Sequence, residues 1–318
     1  MGNIPWIPPR GSSLESEAVS SPIELSFSIP RFSPSVALFW LFRPVRTGMV
    51  AMVTGSAAFA AGADVGKSLG MALVGWCLAV GGFSMDFCAD RHIDRRSSRA
   101  RTCHASLANP LADGSLPTWF GLVFSLTFFA ASLVGVILLA PWGLLPWSGV
   151  ALVVAGLAIG VFDTPLLRAA TLGLLQVLYL LLGATAGSLS PGLWMLAGVL
   201  LFAMLGARGM TDIRDFPEDR ETKVQTLPKR YGTRQTVFFA LVCLHAAYVL
   251  SFVAYLTAEF SHLYLYVDIA FITTGLALTW LFALRPTPKV ALRLTLAFLI
   301  GQGSLFSLML VLSRLGTT

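Results

Sequence analysis

Nine apolar stretches follow one another between residues 46 and 313. Each is about 18 to 24 residues long, the length a helix needs to cross a hydrocarbon layer of ~30 Å. They lie near 46–63, 69–88, 118–140, 144–162, 169–189, 192–209, 236–257, 264–284 and 290–313. Inside a bilayer every backbone N–H and C=O must be satisfied within the protein, and continuous apolar runs do that as helices. A hydrophobic content of 56%, a charged content of 12% and a mean hydropathy of +0.76 exclude a soluble globular domain. The expected fold is all-α, a polytopic membrane protein with nine transmembrane helices around a central cavity and two cytoplasmic capping loops.

Charge placement orients the chain. Nine crossings put the termini on opposite sides. With the N-terminus in the cytoplasm, only Lys67 and Arg314 of the 22 lysines and arginines fall on the far side. The net charge of +6 therefore follows topology, and no nucleic-acid partner is expected. Residues 1–42 are rich in proline and serine without helical period and are expected to form a flexible arm, with the membrane domain over 43–318. No positively charged leader precedes a short apolar core, so no cleaved signal peptide is expected. Of the four cysteines, Cys77 and Cys243 lie in apolar runs and read as packing residues, while Cys88 and Cys103 lie near the first acidic cluster. A zinc site with His92 or His104 lacks a second pair of soft ligands.

Two cytoplasmic connections are long, about 89–117 and 210–235, and each begins in an acidic cluster. The first is Asp86-x3-Asp90-x3-Asp94, the second Asp212-x2-Asp215-x3-Asp219. On a helix these spacings put each trio along one face. Three carboxylates on one face repel unless a cation lies between them. Hard oxygen ligands suit a divalent cation such as Mg2+, which typically brings a phosphate-bearing substrate. The pattern points to a metal–diphosphate site at the membrane edge, and its recurrence suggests two similar helical halves.

These clusters resemble the motifs of the UbiA superfamily of intramembrane prenyltransferases, Asn-x3-Asp-x3-Asp and Asp-x2-Asp-x3-Asp. The run RETKVQTLPKRYG after Asp219, the segment Asn109–Leu116, the segment Phe162–Arg168 and the pair Arg43-Pro44 are similar to the family's as well, so the resemblance covers about 40–313. It implies Mg2+-dependent transfer of a prenyl group from a prenyl diphosphate to an aromatic or other lipophilic acceptor, with release of pyrophosphate. Carried onto this chain, Asp90, Asp94, Asp212, Asp215 and Asp219 are the expected metal ligands, with Asp86 as ligand or neighbouring support. Arg168, Lys223 and Lys229 are the expected diphosphate-neutralising cations, while Arg91, Arg95, Arg99 and Arg101 either attract lipid headgroups or neutralise the first cluster. Asp163 reads as the ion-pair partner of Arg168 or as a general base, and Asp268 as a structural polar contact. Asp86 stands where the family has Asn, Asn109 replaces a basic residue and Phe162 replaces a tyrosine. These departures leave open a membrane terpene cyclase, which would use a prenyl diphosphate without an external acceptor. A transporter with a cation-binding mouth is the alternative from another class.

Overall fold

Proline starts most of the crossings. Pro34, Pro44, Pro165, Pro191 and Pro288 each occupy the first position of a helix, where the missing N–H costs nothing and the fixed φ is already helical. The computed structural model describes residues 32–96, 109–162, 164–219, 225–258 and 260–315, without the side chains of Arg96, Glu218 and Asp219. Lys223, Asp163, Arg99, Arg101, Cys103, His104 and the Asp219 carboxylate lie outside that description.

The elements in order are α1 (Pro34–Leu41), α2 (Pro44–Ala60), α3 (Val65–Arg96), α4 (Thr118–Leu139), α5 (Leu144–Ala158), α6 (Pro165–Ala184) and α7 (Pro191–Asp219). They continue with a short α8 (Leu227–Tyr231), α9 (Thr233–Thr257), α10 (His262–Leu284), α11 (Pro288–Ala297), a π-helical turn Phe298–Gln302, and α12 (Gly303–Leu315). Among the described residues, nine segments are long and apolar enough to cross a membrane, as the hydropathy pattern predicts. Within the segment expected to be an arm, the described part is helical from Pro34 onward. α1 has Pro34 at its first position, and Ala37 and Leu41 are fully buried.

Two helices outrun the bilayer. α3 has 32 residues and α7 has 29. At 1.5 Å per residue these are ~48 Å and ~44 Å long, against a hydrocarbon layer of ~30 Å. The excess carries both acidic clusters out of the apolar region on continuous helix rather than in loops.

Small residues let the helices approach closely. α7 packs most extensively on α9, α3 on α4, and α2 on α3. Between α2 and α6, a side chain at Gly183 or Gly187 would collide with the carbonyls of Thr54 and Ala61, so only glycine fits there. One buried cluster gathers residues of α7, α9, α10 and α12, and a second gathers those of α3, α5 and α6. α2 contributes to both: Val53, Ala57 and Ala61 face the first, Val50 and Ala58 the second.

The end of the bundle away from the aspartates explains the two exceptional basic residues. Arg314 donates to the carbonyls of Phe59 (3.1 Å) and Ala63 (2.6 Å) with its guanidinium 4.5 Å above the Phe59 ring, and Lys67 donates to the Ala186 carbonyl (2.7 Å). Lys67 serves a carbonyl just past the end of α6, and Arg314 ties the end of α2 to the connection before α3, where the Phe59 carbonyl also accepts from the Gly62 N–H. Asp64 accepts from the Lys67 backbone N–H at 2.9 Å, a bond that holds its carboxyl below the usual carboxylate range.

Candidate active site

A cavity of about 860 Å³ opens between the two clusters. Its mouth is charged. Asp86, Asp90 and Asp94 line it from α3, Asp215 from α7, and five arginines (Arg43, Arg46, Arg168, Arg208 and Arg214) join them. Its interior is apolar, with Met49, Val53, Leu200, Met204, Phe271 and Phe306 on the wall. A space with an anion-binding mouth and a hydrocarbon-compatible interior suits an amphiphile with a charged head and a long tail.

On α3, the spacing of four brings all three aspartates of the first cluster to the cavity side, as expected. Asp94 is 8% exposed, and its Oδ2 accepts from Asn109 Nδ2 at 2.9 Å. Asn109, itself buried, also donates to the Phe87 carbonyl at 2.9 Å and accepts from the Leu111 N–H at 3.0 Å. The residue that departs from the family's basic position thus ties Asp94 to the chain that returns from the first loop. Arg91 and Arg95 turn away from the cavity: Arg91 bonds Thr118 and His92, and Arg95 donates to the Ala112 carbonyl at 3.3 Å.

On α7, the trio divides. Asp215 lines the cavity and receives both Nε (2.6 Å) and Nη2 (2.8 Å) of Arg214. Asp212 is 2% exposed and does not line the cavity. Its Oδ1 pairs with Arg208 at 2.7 Å and its Oδ2 accepts from the Leu227 N–H at 3.1 Å, which fixes the start of α8 beneath the mouth. Lys229 sits on α8 and is not a lining residue, whereas Arg168, in the first turn of α6, is one. Asp268 is fully buried in α10 and lies off the cavity lining.

Arg43 carries a further mark of function. It is the one non-glycine residue with positive φ among the described residues (φ 45°, ψ 59°), a conformation that costs a side-chain-bearing residue about 1–2 kcal/mol. The bend between α1 and α2 that requires it places the guanidinium 3.9 Å over the Phe87 ring and 3.6 Å from Asp86. Reading the sequence assigned Arg46, Arg208 and Arg214 to membrane orientation and missed their place in the cavity. The available signal was the spacing of Arg43 to Arg46 and of Arg208 to Asp212, each one helical turn. Gln302 was missed as well. It lines the cavity from the π-helical turn, a distortion frequent at functional sites, and donates to Thr274 Oγ1 at 2.8 Å.

The donor set fits a hard divalent cation, since four carboxylates face one space. Among the described residues, no three His, Cys, Asp or Glu side chains converge closely enough to hold a metal alone. Such a cation would need oxygens from a bound substrate as well, as Mg2+ usually does.

Comparison with known proteins gives the family and the fold. The model of the UbiA prenyltransferase family matches residues 48–301. A digeranylgeranylglyceryl phosphate synthase of Natronomonas pharaonis is 28% identical over 278 residues, covering 82% of this chain and 95% of that protein. Two solved structures share the fold. A UbiA homologue from Archaeoglobus fulgidus bound to GPP and Mg2+ superposes with a TM-score of 0.72 at 17% identity, over 87% of this chain and 99% of that one. A digeranylgeranylglyceryl phosphate synthase gives 0.65 at 20% identity, over 87% and 98%. With a family match over most of its length and the family's all-helical fold, the chain belongs to the UbiA prenyltransferase family.

Proposed function

We propose that this chain transfers a prenyl group from a prenyl diphosphate to a lipophilic acceptor with Mg2+ and releases pyrophosphate. The observation that carries the reading is the single cavity with aspartates of α3 facing an aspartate of α7 at its mouth and hydrocarbon walls behind them. The Archaeoglobus homologue, which holds GPP and Mg2+, supports the donor and the metal.

Asp86, Asp90, Asp94 and Asp215 would hold the cation, with Asp219 and, once released from Arg208, Asp212 completing the acidic set. Bound there, Mg2+ supplies positive charge that offsets the negative charge growing on the diphosphate as it leaves. Arg168, with Lys223 and the α8 residue Lys229, adds donors for phosphate oxygens. The C1–O bond of the prenyl diphosphate breaks with its electron pair going to pyrophosphate. The acceptor then attacks the allylic carbon and loses its proton. The apolar walls hold the tail and keep water from the cation. Orientation follows the basic residues, so the mouth and the N-terminus face the cytoplasm.

The acceptor is aromatic or another lipophile. The Natronomonas relative's name argues for including a glyceryl phosphate lipid among the probes. A second reading is cyclisation without an acceptor. It is favoured by the rings of Phe83, Phe162, Phe271, Phe298 and Phe306 on the cavity wall, whose faces can stabilise a carbocation.

The test is purified protein in detergent with Mg2+ and C10, C15 or C20 prenyl diphosphate, with and without aromatic and glyceryl phosphate acceptors, following pyrophosphate and organic products together. Transfer products that vanish with EDTA and return with Mg2+ support the first reading, and cyclic products without acceptor support the second. Turnover that survives thorough chelation would overturn both.

A further inference from the structure

We infer that Arg46 is a further diphosphate-binding residue, which takes an oxygen of the leaving group from the α2 side of the cavity. The inference rests on the proposed reading that the site accepts a prenyl diphosphate.

Five arginines line the mouth, and three of them are already paired with carboxylates: Arg43 with Asp86, Arg208 with Asp212, and Arg214 with Asp215. Arg46 lines the same space, and its guanidinium has no hydrogen bond or ion pair with any described residue. The ring nearest its guanidinium is Phe83, whose centroid lies 6.0 Å from the guanidinium carbon. The charges acting on it come from both sides of the site, Arg43 and Asp86 on one and Arg214 and Asp215 on the other. It therefore sits between the two aspartate clusters, where a diphosphate bridging them would lie.

A guanidinium that lines a cavity with no anion at hydrogen-bond distance leaves its donors unpaired, so it marks a place for one. The carboxylates nearest in charge do not supply it. Asp215 already receives two bonds from Arg214, and Asp86 is already faced by Arg43. A planar fork of N–H donors matches phosphate oxygens. The fork is also well held, because α2 packs on α3, α6 and α12 and the adjacent Thr47 is fully buried. The competing account is charge balance alone: Asp86 adds a negative charge where the family has Asn, and Arg46 offsets it.

Calorimetric titration of the full chain in detergent with Mg2+ and inorganic pyrophosphate separates the two accounts without requiring turnover. Arg46→Gln should weaken pyrophosphate at least tenfold, or about 1.4 kcal/mol, both in the parent and, measured against Asp86→Asn alone, in the Asp86→Asn background. Arg46→Lys keeps the charge and loses the fork, so it should fall between parent and Arg46→Gln. It carries the test alone if Arg46→Gln does not fold. Arg46→Gln binding within twofold of parent, a loss absent from the Asp86→Asn background, or an Arg46→Lys protein that binds like parent where it carries the test alone, would overturn the role of Arg46 and leave the proposed function standing. A parent protein that binds no pyrophosphate would overturn the diphosphate reading of the site and this inference with it.

Discussion

Removing the Asn109 side chain should destabilise the protein and disable its chemistry together, because one buried amide holds a loop and a carboxylate at once. Asn109 is 4% exposed, so water does not replace what an alanine removes. Three bonds are lost: one to the Asp94 carboxylate, one to the Phe87 carbonyl and one from the Leu111 N–H. A charge-assisted bond contributes about 2 kcal/mol and each neutral one about 1. The Phe87 carbonyl also lies in α3 and keeps its helical partner, so the expected cost of Asn109→Ala is about 3 kcal/mol. Asp94 then loses the amide that orients its Oδ2, and turnover should fall at least tenfold, since a displaced ligand no longer matches the geometry the reacting groups need. Asn109→Asp sharpens the test. It keeps the acceptor for Leu111 and replaces the donor to Asp94 with a second carboxylate, so its turnover should fall at least as far as that of Asn109→Ala. Unfolding followed by tryptophan fluorescence in one detergent, beside pyrophosphate release from the same preparations, reads both quantities. Asn109→Ala within 1 kcal/mol of parent and within twofold in turnover would refute the anchoring role.

Asp90→Asn and Asp215→Asn should each abolish turnover while leaving expression and unfolding midpoint near parent values; full activity in both sinks the metal-site assignment, as measured by pyrophosphate release. Arg43→Gly separates strain from function. Glycine relieves about 1–2 kcal/mol at the left-handed position and loses a cation–π contact worth about as much together with the Asp86 ion pair, worth about 0–1 kcal/mol, so stability should change by less than about 2 kcal/mol while turnover falls; parent-level turnover would show that the strained arginine has no part in the reaction. Arg314→Ala leaves the Ala63 carbonyl without its side-chain donor and the Phe59 carbonyl with the Gly62 N–H alone, and should cost about 2 kcal/mol with turnover unchanged at a temperature where both proteins are folded; an unchanged unfolding curve would refute its capping role.

The nine crossings were legible because each is a local signal, about twenty apolar residues in a row, and no distant contact is needed to read it. The acidic clusters were legible for the same reason, as short-range spacing on a helix. What the sequence obscured was non-local. The charged run from Asp90 to Arg96 reads as loop by hydropathy, yet α3 continues through it, since Arg, Asp and His outside the bilayer do not forbid helix and the turns behind them are already nucleated. Asn109 looked like a lost basic residue until Asp94, fifteen positions earlier, was seen against it. Arginine has one appearance in sequence and two uses here. Arg91 and Arg95 bond the chain around the first loop, while Arg43, Arg46, Arg208 and Arg214 line the cavity, and only packing decides between them. The same ambiguity runs the other way for Asp212. Its spacing alone makes it a ligand, but Arg208 one turn before it and the Leu227 amide beyond the loop already claim both oxygens. The second cluster is therefore divided in this structure: Asp215 lines the cavity, and Asp212 ties α7 to the start of α8.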